Sequence, residues 1–136
     1  MTAENAEKRG LKPLARIVAH ASHAQEPEWF TTAPITAIRN VLNKADWKPD
    51  DVDLYEINEA FAIVAMVAIS TLELNPEKVN VHGGACALGH PIGASGARIL
   101  VTLIYALRQK HKKRGVAALC IGGGEATAVA IEVLYA

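Results

Sequence analysis

The chain has 136 residues, 51% of them apolar and 21% charged, a balance that fits one soluble globular domain with room for a real core. Fourteen Lys and Arg offset fourteen Asp and Glu, so net charge gives no case for nucleic acid or a membrane surface as partner. Two cysteines make no disulfide framework, no secretory signal is visible, and the longest apolar run, Ala60 to Ile69, is about half a membrane span; cytoplasm is the default compartment.

In chain order, Thr2 to Arg9 read as a short helix closed by Gly10, a favoured C-cap residue. So short a helix is marginal alone. Residues 1–10 are therefore expected to be the remnant of a longer preceding helix, with Met1 internal to a larger protein, and 11–136 to form the domain proper. Leu14 to Ala24 form a noisy strand and Glu26 to Thr32 a loop. Ile35, Ile38, Val41, Leu42 and Ala45 recur at helical spacing, with Thr31 or Thr32 as cap and Pro34 in the first turn. Lys48-Pro49-Asp50-Asp51 ends that helix, and Val52 to Ile57 follow as a strand. Ala60 to Leu72 spell a helix apolar nearly all round, the pattern of a buried one, stopped by Asn75-Pro76. Lys78 to His82 make a third strand, and a Gly-rich loop runs to Pro91. Ser95 to Lys113 form the longest helix, striped by Ile99, Leu100, Leu103, Ile104 and Leu107, with the basic run Lys110 to Arg114 complementing the dipole at its end. Val116 to Ile121 and Thr127 to Leu134 close the chain around Gly122-Gly123-Gly124.

The order β-α-β-α-β-α-β-β predicts an α/β domain: a mixed, mostly parallel five-stranded sheet with helices on both faces. The last strand follows too short a connection for a crossover and pairs antiparallel as a hairpin. Ligands of such sheets bind outside the carboxyl ends of the strands. Three polar groups fall there. Asn58 precedes a helix and on position alone is an N-cap, with Glu59 in the first turn. His90 lies in Gly-His-Pro-Ile-Gly-Ala-Ser-Gly, a backbone path fixed by glycines and proline, where small residues allow close packing on the next helix. Cys120 ends an apolar strand, where cysteine is usually a small hydrophobe. The three glycines after it, however, let a ligand reach the backbone and turn N–H groups toward an oxyanion. Cys86 lacks such a setting and reads as packing. A Cys and His so placed are candidates for acid–base or nucleophilic work. No Cys-x-x-Cys or His-x-x-x-His pair supports a metal site.

The blocks Asn58-Glu59-Ala60-Phe61-Ala62, Gly83-Gly84-Ala85 through Gly89-His90-Pro91-Ile92-Gly93-Ala94-Ser95-Gly96, and Cys120-Ile121-Gly122-Gly123-Gly124 resemble the three C-terminal signatures of thiolases. Leu11 to Ile17 resemble the family's entry into that half, so the likeness covers nearly the whole chain. The resemblance implies the second half of a five-layered α-β-α-β-α fold, and condensation of two acyl-CoA molecules or cleavage with free CoA. It implies that His90 activates a nucleophilic cysteine and binds the thioester oxygen, that Cys120 exchanges the α-proton, and that Asn58 positions a water beside His90. Gly122 N–H would serve a second oxyanion hole, and Phe61 would line the pantetheine or acyl channel. CoA thioesters are substrates, so no separate cofactor is implied.

Two features depart from the pattern. The family's acyl-accepting cysteine belongs to the N-terminal half, and no residue here matches its motif; much of the CoA-binding loop region is also absent. His82 stands where many members have Asn, and reads as a site-wall residue. The expected whole is an acetyl-CoA acetyltransferase, completed by an N-terminal half and assembled as a homo-oligomer. The alternatives are a longer-chain 3-ketoacyl-CoA thiolase and a non-catalytic half that binds CoA or a partner.

Overall fold

Val116, Ala118 and Cys120 alternate with Ala117 and Leu119, and Ala126, Ala128 and Ala130 alternate with Val129, Ile131 and Val133, so each strand offers apolar side chains to two faces. Those faces are filled by separate clusters, one beneath the helices of residues 33–45 and 62–71 and the other beneath the helix of residues 95–109. The computed structural model describes residues 1–135. Its elements are α1 (Ala3–Lys8), β1 (Ala15–Ala24), α2 (Ala33–Ala45), β2 (Leu54–Ile57), α3 (Ala62–Thr71), α4 (Ala85–Leu88), α5 (Ser95–Gln109), β3 (Arg114–Cys120) and β4 (Glu125–Val133).

The α/β class and the mixed sheet with helices on both faces agree with the sequence pattern. Among the described residues, however, the sheet has four strands in the order β1-β4-β3-β2, and of these only β2 and β3 pair parallel. Both ladders of β4 are antiparallel. The strands β1, β2 and β3 do run in one direction, as the intervening helices require. The hairpin strand β4 inserts between β1 and β3, and so converts what would be a parallel contact into two antiparallel ones.

The expected strand at Lys78 to His82 is absent for a local reason. Val79 makes one parallel bridge to Tyr55, and Asn80 then takes a left-handed conformation at φ 49°. Its side-chain amide turns back on β2, accepting from Ile57 N at 2.8 Å and donating to Ile57 O at 2.9 Å. A single side chain thus supplies the pair of hydrogen bonds a further strand residue would have made.

Helix α2 starts with Pro34 in its first turn, buries Ile35, Ile38, Val41 and Leu42, and ends at Asp46 in the left-handed region. Helix α1 is capped by the Thr2 side chain, which accepts from Asn5 N. Helix α5 stops at Gln109, four residues before the expected end. His111 turns the chain at φ 54°, and the Asp53 carboxylate accepts from Lys113 N and Arg114 N, so the basic run forms a turn and a strand start rather than a helix end. Helix α3 is apolar, as read, but not buried: Val64, Ala65 and Ala68 pack inward, whereas Ile63 and Met66 are 52% and 61% exposed. An apolar groove of about 710 Å³ also opens between β1 and α5, against Leu14, Ile17, Leu100, Ile104 and Ile131. Among the described residues no helix is long and apolar enough to cross a membrane.

Candidate active site

Parallel pairing of β2 and β3 brings their carboxyl ends to one edge of the sheet. Ile57 stands opposite Ala118, and Asn58 N donates to Ala118 O at 2.9 Å. Asn58 is thus laid alongside Leu119, with Cys120 the next residue of the neighbouring strand. Asn58 is not a helix cap. Helix α3 begins at Ala62 behind an extended Phe61, which leaves Asn58 as the last, 1% exposed residue of the strand end.

Its Nδ2 lies 3.4 Å from His90 Nε2, so two of the candidate residues meet directly. The other ring nitrogen, Nδ1, sits 2.5 Å from Ser95 Oγ, and that hydroxyl is 3.0 Å from Pro91 O. The Pro91 carbonyl also accepts the Ala94 and Ser95 amides, each at 2.8 Å, which winds the His90 loop into the first turn of α5. Asn58 Oδ1 is buried with no hydrogen-bond partner in the protein. A buried acceptor left open beside an imidazole is the kind of atom that fixes a water or a substrate donor.

Cys120 closes β3, 6% exposed, and its burial pushes the thiol above the ordinary cysteine range. The turn beyond it is tied by Ile121 N to Glu125 O at 2.7 Å and Gly124 N to Ile121 O at 3.1 Å. Gly122 and Gly123 are exposed, and their amides make no backbone hydrogen bond among the described residues. Gly124 sits at φ 98°, where a Cβ would collide with the Gln25 carbonyl. Only glycine therefore lets this turn close against the start of the 25–32 loop.

Glu59, expected in a helix first turn, lies in the connection before α3. Its carboxylate accepts from Cys86 N at 2.9 Å and from Asn80 Nδ2 at 3.5 Å. A Cβ on Gly84 would strike that carboxylate, so Gly84 is the space it occupies. The Asn-Glu block and the Gly-Gly block are thereby clamped together. The exposed Cys86 thiol is raised by its hydrogen bond to Glu59. Phe61 is 61% exposed and meets Phe30 edge to face, with centroids 6.2 Å apart. His82 is exposed in the turn after Asn80, and its ring hydrogen-bonds neither Asn58 nor His90.

Beneath the strand end lies a feature with no sequence signature. Glu56, two residues before Asn58, is 1% exposed and pairs with Arg98 of α5 at 3.2 Å. Burial raises its carboxyl to about 7, against the lowering pull of Arg98. Ser95, Glu56 and Arg98 all escape sequence reasoning, because their partners are set by the crossing of α5 over β2. The nearest signal for Ser95 was its place five residues after a His in a loop held by Pro91.

A family model described as "Thiolase, C-terminal domain" matches residues 11–133. The cytosolic acetyl-CoA acetyltransferase of Mus musculus is 54% identical over 132 residues, 97% of this chain and 33% of that protein. The acetyl-CoA acetyltransferase of Allochromatium vinosum is 52% identical over 97% of this chain and 34% of its own length. The crystal structure of the Bacillus anthracis acetyl-CoA acetyltransferase superposes with a TM-score of 0.96 at 47% identity, over 98% of this chain and 34% of that one. A thiolase from Ascaris suum in complex with coenzyme A gives 0.92 at 46% identity, with the same coverage. The chain spans about a third of the length of these relatives.

Proposed function

The chain belongs to the thiolase family as its C-terminal domain, and from that premise we propose that it supplies the acid–base and oxyanion part of an acyl-CoA acyltransferase site. The reaction is the condensation of two acetyl-CoA molecules to acetoacetyl-CoA, or the reverse thiolysis. The observation that carries this reading is the meeting of Asn58 and His90 at the strand edge that ends in Cys120. The names of the relatives, acetyl-CoA acetyltransferases, favour the two-carbon acyl group over longer chains.

The nucleophile comes from an N-terminal half. His90 takes the proton from that cysteine thiol, and the thiolate attacks the thioester carbonyl, expelling CoA as its thiol with the same proton. Cys120, as its thiolate, then removes the α-proton of a second acetyl-CoA; the carbanion attacks the acyl-enzyme, and the nucleophilic cysteine leaves as a thiolate that takes up the proton held by Cys120. A base must face the carbon and donors must face the developing enolate oxygen at once. A water held by the open Oδ1 of Asn58 serves that oxygen, joined by His90 whenever its Nε2 carries a proton. The Gly122 amide, free of backbone partners, serves the tetrahedral oxygen of the acyl transfer. In thiolysis Cys120 is the acid that quenches the carbanion, and burial, which raises its thiol, favours the protonated form needed there. Phe61 lines the pantetheine channel and His82 its wall. Acyl-CoA and CoA are substrates and no further cofactor takes part; the assembly is a cytoplasmic homo-oligomer.

Mixing this chain with the N-terminal half and assaying acetoacetyl-CoA thiolysis tests the reading. Activity is expected, falling roughly 10²- to 10⁴-fold with His90→Ala or Cys120→Ala in the mixture. Preference for 3-ketodecanoyl-CoA would make it a longer-chain thiolase. Two folded halves without activity would leave a CoA- or partner-binding domain instead.

A further inference from the structure

We propose that Ser95 is a positioning residue that fixes which nitrogen of His90 carries the proton; the inference deepens, and rests on, the reading of His90 as the base of the site. The argument is one of counting hydrogens. A serine hydroxyl has a single proton and accepts through its lone pairs, and a carbonyl oxygen only accepts. Ser95 Oγ touches two groups, Pro91 O at 3.0 Å and His90 Nδ1 at 2.5 Å. The proton goes to Pro91 O, the partner that offers no hydrogen of its own. Nδ1 must then be the donor to Oγ, which makes the neutral ring the Nδ1–H tautomer. Its Nε2 lone pair is left facing Asn58, whose Nδ2 at 3.4 Å is a donor.

The chain of donors therefore runs one way, from Asn58 Nδ2 to Nε2, from Nδ1 to Ser95 Oγ, and from Ser95 Oγ to Pro91 O. One assignment satisfies every link; the opposite tautomer draws the Ser95 proton away from Pro91 O and sets Nε2–H against the Asn58 Nδ2 donor. Ser95 is well placed to hold this assignment. It is 1% exposed, so no water competes for its hydroxyl, and it is the first residue of α5, whose backbone is locked to the same Pro91 carbonyl. An imidazole that is to accept a thiol proton needs the lone pair on the nitrogen that faces the site. The second nitrogen, turned away from the reaction, decides that through its partner.

A serine that merely starts a helix would leave the ring free to choose its tautomer, and this separates the two roles. Long-range ¹H–¹⁵N correlation of the imidazole at neutral to mildly alkaline pH reads the tautomer directly in this chain, without any assay. Wild type is expected to show Nδ1–H. In Ser95→Ala the signal moves to Nε2–H, because the amide of Asn58 can rotate its open Oδ1 onto that hydrogen. Ser95→Thr, which keeps the hydroxyl, restores Nδ1–H. In the mixture with the N-terminal half, Ser95→Ala is expected to lower kcat roughly 10- to 100-fold with little change in KM for CoA, and Ser95→Thr to recover most of it. An Nε2–H tautomer in wild type, or Nδ1–H persisting in a folded Ser95→Ala, overturns the proposal. Absence of thiolysis in the wild-type mixture would sink the acyltransferase reading while leaving the tautomer result to stand.

Discussion

Single side chains near the site carry consequences beyond their contacts. Glu56 is enclosed beneath the strand that delivers Asn58, with Oε1 unpartnered and the Arg98 Nε likewise. Enclosure disfavours the carboxylate, and the attraction of Arg98 offsets only part of that, so the group titrates near 7 rather than 4.5. The folded state thus holds a proton that the unfolded chain releases earlier. This contribution to stability is complete below about pH 4.5 and is lost as pH rises through about 7. Urea unfolding of wild type and Glu56→Gln should therefore converge or cross between pH 5 and pH 8. The wild type loses on the order of 1–3 kcal/mol relative to the variant. Parallel curves would mean that Glu56 titrates as an ordinary surface carboxylate. His90 and Cys120 stand out in the sequence because one lies in a glycine-fixed loop and the other ends a strand before three glycines, whereas Asn58 reads by position as a helix cap and joins them only through the resemblance. Glu56, Arg98 and Ser95 do not stand out, since their roles come from a helix crossing that no local pattern encodes.

At the scale of elements, Asn80 closes the free edge of β2 with one amide. In Asn80→Ala the Ile57 N–H and C=O both lose their partner, and a left-handed φ falls on a residue that tolerates it less well. A loss of about 2–4 kcal/mol is expected by chemical denaturation, with amide exchange accelerated at Ile57 and Asn58 before the rest of the sheet. An unchanged midpoint would show that water replaces the side chain at no cost. The same residue explains the missing fifth strand. Alternation of Val79 and Val81 is a strand pattern, but the side chain between them competes with the ladder. The noise in β1 has a similar origin. The register shifts between Ile17 and Ala19, so Val18 interrupts the alternation that would have marked the strand cleanly. Helix α3 was readable as a helix but not as to where its apolar faces go, because composition does not say which neighbour covers them.

The whole molecule leaves apolar surface on both sides of its sheet. Ile63 and Met66 of α3 lie on one side, and Ile17 of β1 lines the groove against α5 on the other. The isolated chain should therefore self-associate, its mean mass by light scattering rising with concentration. A monodisperse monomer over a hundredfold range would contradict this. The insertion of β4 between β1 and β3 has a further effect, on the path by which the fold is reached. Ala15 pairs with Val133 and Ala24 with Glu125, so among the described strands β1 finds its partner roughly a hundred residues along the chain. Loops of that length close slowly, and contacts of high sequence separation set the pace of folding. During synthesis β1 must wait, its pairing edge open, until β4 has left the ribosome. The hairpin that places Cys120 and its glycines is thus also the latch of this sheet, and the residues this chain brings to the site come together in the same event as the sheet.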